Sequence, residues 1–142
     1  MKGVVTSADS TQVKVAQVRI GEVQFTIDES SSEDDGQVVP NPYDYILSAL
    51  GACTVITLQL YASRKNWPLE RAEVYLEELK DEFIMDANAS TGNTKHYRIQ
   101  KNLKLIGDLT PDQRKRLLEI SSRCPVQRSL EAGMFIQTTL ET

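Results

Sequence analysis

The chain has 142 residues, with 16 Lys and Arg against 20 Asp and Glu, a formal net charge of −4. That length suits about one domain, and a composition of 40% hydrophobic and 25% charged residues excludes a largely disordered chain. The acidic balance, with no basic run of five residues, argues against nucleic acid or an anionic membrane surface as partner, since both require clustered cations.

The stretch 1–10 lacks the apolar core of a secretory signal, so a cytoplasmic location is expected. There Cys53 and Cys124 stay reduced, and a structural disulfide is not the default. Two cysteines and the single histidine, His96, cannot alone build a Cys/His zinc site. Any Ser/His/Asp chemistry would rest on that one histidine.

Val13 and Val15 alternate with polar neighbours, and Val23, Phe25 and Ile27 alternate again after Gly21. This predicts a hairpin with its turn at Ile20–Glu22. The run Asp28–Asp35 holds five acids and three serines and reads as a solvated loop; it lacks the alternating oxygen ligands and closing Glu of a calcium loop.

Asn41-Pro42-Tyr43-Asp44 is a helix start, with Asn41 able to cap, Pro42 suited to the first position and Asp44 in the first turn. From Tyr45 to Ser63 nineteen residues carry no charge, about 28 Å of helix. Such a stretch has transmembrane length. Ser48, Gly51, Thr54, Thr57, Gln59 and Ser63 spread polarity around it, however, and a helix buried on nearly every side is expected. Arg64 and Lys65 suit its C-terminal end, and Pro68 forbids continuation.

Ala72, Val74 and Leu76 alternate as a further strand. A turn at Ala89–Thr94 leads into a long strand with Tyr97, Ile99, Leu103 and Leu105 on one face, and His96, Arg98, Gln100, Asn102 and Lys104 on the other. Thr110-Pro111-Asp112-Gln113 has the capping-box pattern of a second helix running to about Ser122. Cys124-Pro125 restarts a short helix that Gly133 stops. Met134–Leu140 reads as a closing strand. The order is that of a single α+β domain over residues 1–142, with antiparallel sheets, a long buried central helix and a second helix pair.

A thiol at a helix N-terminus, as Cys124 would be, is pushed toward the thiolate by the unpaired N–H groups and the helix dipole; Arg123 and Arg128 add positive charge nearby. Cys53 lies among Gly51, Ala52 and Thr54, which leave room beside its sulfur. Each cysteine read alone is also a small buried hydrophobe, the commonest fate of a free cysteine, and for Cys53 that is the favoured reading.

The run from Asn41 to Thr54 (NPYDYILSALGACT), together with Cys124-Pro125-Val126-Gln127-Arg128-Ser129-Leu130, resembles the OsmC/Ohr family of osmotically inducible and organic-hydroperoxide-resistance proteins. The similarity runs from about Val13 to Leu140, with two cysteine motifs 71 residues apart, and is strongest to the general OsmC-like branch. It implies an intertwined homodimer with active sites at the subunit interface. It also implies a thiol peroxidase in which Cys53 attacks an organic hydroperoxide and Cys124 resolves the sulfenic acid as a disulfide that a small dithiol reduces. No metal or bound organic cofactor is implied.

The family's arginine, which holds thiolate and peroxide, corresponds approximately to Arg19, a residue that also reads as an exposed strand position. The hydroperoxide reductases carry Glu directly after the proline matching Pro42. This chain has Tyr43 there and Asp44 next, about 100° further round the helix, so Asp44 reads both as the acid that orients the arginine and as a helix-start residue. Gln127 stands where many relatives have His, and it cannot exchange a proton near neutral pH. Two other functions use the same residues: a non-catalytic dimer that binds a small apolar molecule, and a thiol redox sensor.

Overall fold

The computed structural model describes residues 3–29, 39–79 and 98–141. Five strands and three helices follow in the order β1 (Val4–Ser7), β2 (Val15–Ile20), β3 (Val23–Asp28), α1 (Pro42–Lys65), β4 (Arg71–Leu79), β5 (Arg98–Ile106), α2 (Pro111–Ser121) and α3 (Pro125–Ala132). The chain divides into two compact units, Met1–Ser48 and Ala49–Thr142, with the boundary inside α1. The α+β class with antiparallel sheets is as expected.

In the first unit β1, β2 and β3 form a meander in that order. Ile20 pairs with Val23, which leaves Gly21 and Glu22 as a two-residue turn. Gly21 has φ +59°, the first-position conformation of a type II′ turn, which suits the twist of the strands it joins and which only glycine adopts freely. Val18 is buried in the middle of β2 opposite Phe25, and Phe25 stacks on Tyr45 with ring centroids 5.6 Å apart. β1, which the sequence reading does not anticipate, is four residues long and exposed throughout. Val13, expected in the first strand, lies outside it and is exposed.

α1 begins and ends by local chemistry. Asn41 Oδ1 accepts the Asp44 N–H at 3.0 Å, and Asp44 Oδ2 accepts the Asn41 N–H at 2.8 Å, so two donors of the first turn are satisfied reciprocally. At the other end Asn66 takes φ 56°. Asn66 donates its N–H to Ser63 O at 3.2 Å, and Trp67 donates to Ala62 O at 2.9 Å, the two bonds of a Schellman motif, with Pro68 just beyond.

In the second unit β4 and β5 pair antiparallel, Val74 opposite Leu103. Leu58 and Ala62 of α1 pack with Leu69, Leu109, Leu117 and Ile120 into the core, bordered by Tyr61, Trp67, Ala72, Leu103 and Leu105. Gly51 lets α1 approach β4: a Cβ there would stand 2.8 Å from Leu76 Cδ1. α2 carries its capping box, with Gln113 N–H on Thr110 Oγ1 at 3.1 Å and Thr110 N–H on Gln113 Oε1 at 3.0 Å. Arg114 ties that helix to β5 by donating to the Leu105 and Gly107 carbonyls.

Two expectations are corrected. α1 is long and apolar enough to cross a membrane by length and composition, yet it is not buried on nearly every side. Leu50, Gly51, Thr54, Leu58 and Ala62 form a buried stripe, while Ile56 and Leu60 are more than half exposed. Met134–Leu140 is not a strand: it forms no ladder among the described residues, and Phe135, Ile136 and Leu140 are almost fully exposed. Apolarity marks what is favoured to leave water, and this single chain supplies cover for part of it. The expected turn at Ala89–Thr94, together with Tyr97, His96 and most of the acidic run after Glu29, lies outside the described residues.

Candidate functional site: a thiol pair at a helix N-terminus

The centre of the site is Cys124, fully buried and placed by the break between α2 and α3. Arg123 donates its N–H to Ile120 O at 2.9 Å as α2 ends, Pro125 opens α3, and Cys124 is its N-cap with extended φ −62° and ψ 137°. Where a cap residue normally offers an oxygen, Cys124 offers sulfur: Sγ accepts the Gln127 N–H at 3.3 Å. Gly133, at φ 84°, ends the helix as the sequence predicts.

Cys53 comes from α1 and is half-buried. Its side chain interacts with Cys124 and favours the thiolate there. One residue on, Thr54 is fully buried; its one hydroxyl proton has Leu50 O at 2.8 Å and Cys124 Sγ at 3.9 Å as alternative acceptors. Lys101 reaches in from β5, and its Nζ donates to Thr54 Oγ1 and to Ser121 O, both at 2.9 Å.

These contacts set the ionisation of the site. Burial pushes the Cys124 thiol up, but the Gln127 N–H, the Cys53 and Thr54 side chains and the Lys101 charge outweigh it, so the thiol lies below its ordinary value of 9.0. For Lys101 burial dominates and draws the ammonium down from 10.5, opposed by the charges of Cys124, Cys53 and Glu131.

Next to Lys101 and Gln127 lies a cavity of about 720 Å³, lined by apolar side chains such as Leu50, Ile99, Leu103 and Leu130 and by polar ones, among them Arg98, Gln100 and Glu131. Gln127 Nε2 donates to Glu131 Oε1 at 2.6 Å. Its Oε1 is the one buried side-chain polar atom without a partner among the described residues.

Of the residues picked out from sequence, Cys53 and Cys124 come together in the second unit. Arg19 and Asp44 belong to the first. Arg19 is exposed on β2, paired with Val5 and Gln24, and borders a hollow of about 350 Å³ with Ser7, Gln17 and Val18. Asp44 is engaged in the start of α1. Lys101 and Thr54 are the residues that sequence reasoning misses. Lys101 carried a signal, because it falls at an odd position among Ile99, Leu103 and Leu105, a charge on the apolar face of an alternating strand. Thr54 read only as part of the polarity scattered around α1.

A family model described as OsmC-like protein matches residues 33–139. No curated protein matches the chain. Among solved structures, an OsmC-like protein from Mycoplasma pneumoniae superimposes with a TM-score of 0.69 at 17% identity, over 92% of this chain and 87% of that one. An organic hydroperoxide resistance protein from Elizabethkingia anophelis gives 0.62 at 15% identity, over 90% and 86%. The organic hydroperoxide resistance protein OhrB of Bacillus subtilis gives 0.57 at 20% identity, over 90% and 88%. These likenesses are of fold, and the family model spans most of the sequence, both cysteine motifs included. The chain belongs to the OsmC-like protein family.

Proposed function

We propose that the protein is a cytoplasmic, cysteine-based peroxidase that reduces organic hydroperoxides. The observation that carries the reading is the pairing of a half-exposed thiol, Cys53, with a fully buried one, Cys124, whose ionisation is favoured by its surroundings. Membership of a family whose structural neighbours include organic hydroperoxide resistance proteins supports it.

The accessible thiol meets the peroxide. Cys53 thiolate attacks the terminal oxygen of ROOH, the O–O bond breaks, and the alkoxide takes a proton and leaves as the alcohol. The sulfur, oxidised by two electrons, becomes a sulfenic acid. Cys124 thiolate then attacks the Cys53 sulfur, the S–O bond breaks, and hydroxide takes a proton and leaves as water, giving the disulfide. A small dithiol restores both thiols by exchange. In this scheme Arg19 holds thiolate and peroxide and Asp44 orients the arginine. The neighbouring cavity offers an alkyl group the apolar side chains of Leu50, Ile99, Leu103 and Leu130, set among polar ones such as Arg98 and Glu131.

The working form is a homodimer. Ile56 and Leu60 on α1, and Phe135, Ile136 and Leu140 after α3, leave large apolar side chains in water, which a second copy would cover.

Intact mass after one equivalent of cumene hydroperoxide, with dithiol-driven turnover followed in parallel, tests the reading. Loss of two hydrogens with rapid recycling is expected. Cys53→Ser abolishes peroxide consumption, and Cys124→Ser leaves Cys53 to over-oxidise or stalls recycling. Loss of two hydrogens without recycling by any dithiol would indicate a sensor. Unchanged mass would make the thiols structural and leave a ligand-binding dimer.

A further inference from the structure

Lys101 is a charged side chain on the inward face of β5, part-buried, and neither cysteine motif contains it. Its ammonium is held at two points, Thr54 Oγ1 on α1 and Ser121 O at the end of α2. The carbonyl contact has an ordinary explanation, since a cation at a helix C-terminus satisfies an unpaired carbonyl and the negative end of the dipole. The hydroxyl contact has another consequence. The Thr54 hydroxyl has one proton, with Leu50 O at 2.8 Å and Cys124 Sγ at 3.9 Å as its two acceptors; an N–H accepted from Lys101 makes it a better donor when it turns toward a Cys124 thiolate. The chain Lys101–Thr54–Cys124 runs from a part-buried cation through a buried hydroxyl to a buried thiol.

We propose that Lys101 is a positioning residue which, through the Thr54 hydroxyl, holds Cys124 as the thiolate that closes the disulfide. The role in disulfide closure rests on the peroxidase reading; the thiolate-holding role does not. The step it serves is attack of Cys124 thiolate on the Cys53 sulfenic sulfur formed by an organic hydroperoxide: the S–S bond forms, the S–O bond breaks, and hydroxide leaves as water on taking a proton. A neutral Cys124 would have to lose its proton first, and Cys53 would stay exposed to a second peroxide for longer.

The ionisable groups around this point come from each packed element. α1 supplies Cys53, β5 supplies Lys101 with Arg98 on the same cavity, and α3 supplies Glu131, whose carboxylate attracts Lys101. α2 contributes the Ser121 carbonyl. Among the described residues Lys101 is thus the cation linked to Cys124 through a shared neighbour, Thr54, while Glu131 acts on the lysine.

The test uses the full chain in a Cys53→Ser background, where ultraviolet thiolate absorbance against pH reports Cys124. Lys101→Met raises the midpoint by about one pH unit, the lower end of what an adjacent opposite charge does to a titrating group. Lys101→Arg restores most of the shift. Thr54→Val, which keeps shape and removes the hydroxyl, moves the midpoint the same way, and it carries the test should Lys101→Met not fold. A midpoint unchanged in Lys101→Met and Thr54→Val, with only the melting temperature lowered, would overturn the proposal and leave Lys101 as a cap for α2.

With both cysteines present, Lys101→Met slows peroxide-driven disulfide formation about tenfold at neutral pH, and the deficit shrinks as pH rises. Slowing that does not diminish at high pH would count against a thiolate role. A shifted titration in a protein that consumes no peroxide would overturn the peroxidase reading while supporting the hold of Lys101 on Cys124.

Discussion

Gln127 lies one turn into α3, and its backbone N–H is aimed back at Cys124 Sγ across 3.3 Å. The contact makes one sulfur serve twice, as a helix cap and as a reactive group. A cap oxygen holds its lone pairs whatever the pH, whereas sulfur accepts well only as thiolate. The start of α3 is therefore sensitive to the protonation of the residue that begins it.

A pH dependence of stability follows. The folded Cys124 thiol lies below its ordinary value of 9.0, so between the two values the unfolded chain binds more protons than the folded one, and stability rises with pH. The contribution is fully present above 9.0 and is lost as pH falls through the folded value. Urea unfolding of the wild type and Cys124→Ala should give a stability difference that widens from acid toward alkaline pH. A difference that is flat or narrows would mean that burial, not the N–H and the lysine, governs the thiol.

The two faces of α1 should respond unequally to substitution. Leu58 is fully buried in the second unit's core, and Leu58→Ala should cost about 2–5 kcal/mol in denaturant unfolding. Ile56, two residues earlier, is more than half exposed. Ile56→Ala should change the unfolding of one chain by about 0.5 kcal/mol or less. A large loss at Ile56 in dilute protein would place a partner over that face even under those conditions.

The reciprocal cap of α2 is a separable unit. Thr110→Ala removes the acceptor of the Gln113 N–H and leaves the rest of the helix intact. The expected cost is about 1 kcal/mol, read as a lower denaturation midpoint with an unchanged slope. Gln113→Ala removes the return bond to the Thr110 N–H. The two together should cost less than their sum, because each side chain holds the other's backbone.

Punctuation was the most legible part of the sequence. Gly21 at the hairpin, Asn41 with Asp44, Pro68, the Thr110 capping box, Cys124-Pro125 and Gly133 each name a local geometry that a few neighbouring atoms enforce, and the structure has them in place. What needed a distant partner was less legible. β1 has no alternating pattern of its own and exists by pairing with β2. Met134–Leu140 has strand-like composition and no partner among the described residues. The cysteine pair was found through resemblance and the α3 cap through local chemistry. Lys101 showed in the sequence as a charge on an apolar strand face, but its partners, Thr54 on α1 and Ser121 at the end of α2, meet it only in the fold.

The same uncovered residues give the last prediction. Phe135 is wholly exposed, Ile136 and Leu140 nearly so, and they follow α3 in a segment without ladder hydrogen bonds among the described residues. Burying a large apolar side chain stabilises by roughly 1.5–3 kcal/mol, so covering several of them is a strong drive toward a second copy, and the proposed homodimer supplies one. Phe135→Asp with Ile136→Asp should shift sedimentation at micromolar concentration from dimer to monomer. Charges placed on side chains already in water cost the isolated chain little, so its far-ultraviolet circular dichroism should stay the same. A wild-type chain that sediments as a monomer would remove the dimer from the scheme. If the double variant remained a dimer, the interface would lie elsewhere, with the α1 face of Ile56 and Leu60 as the next place to introduce a charge.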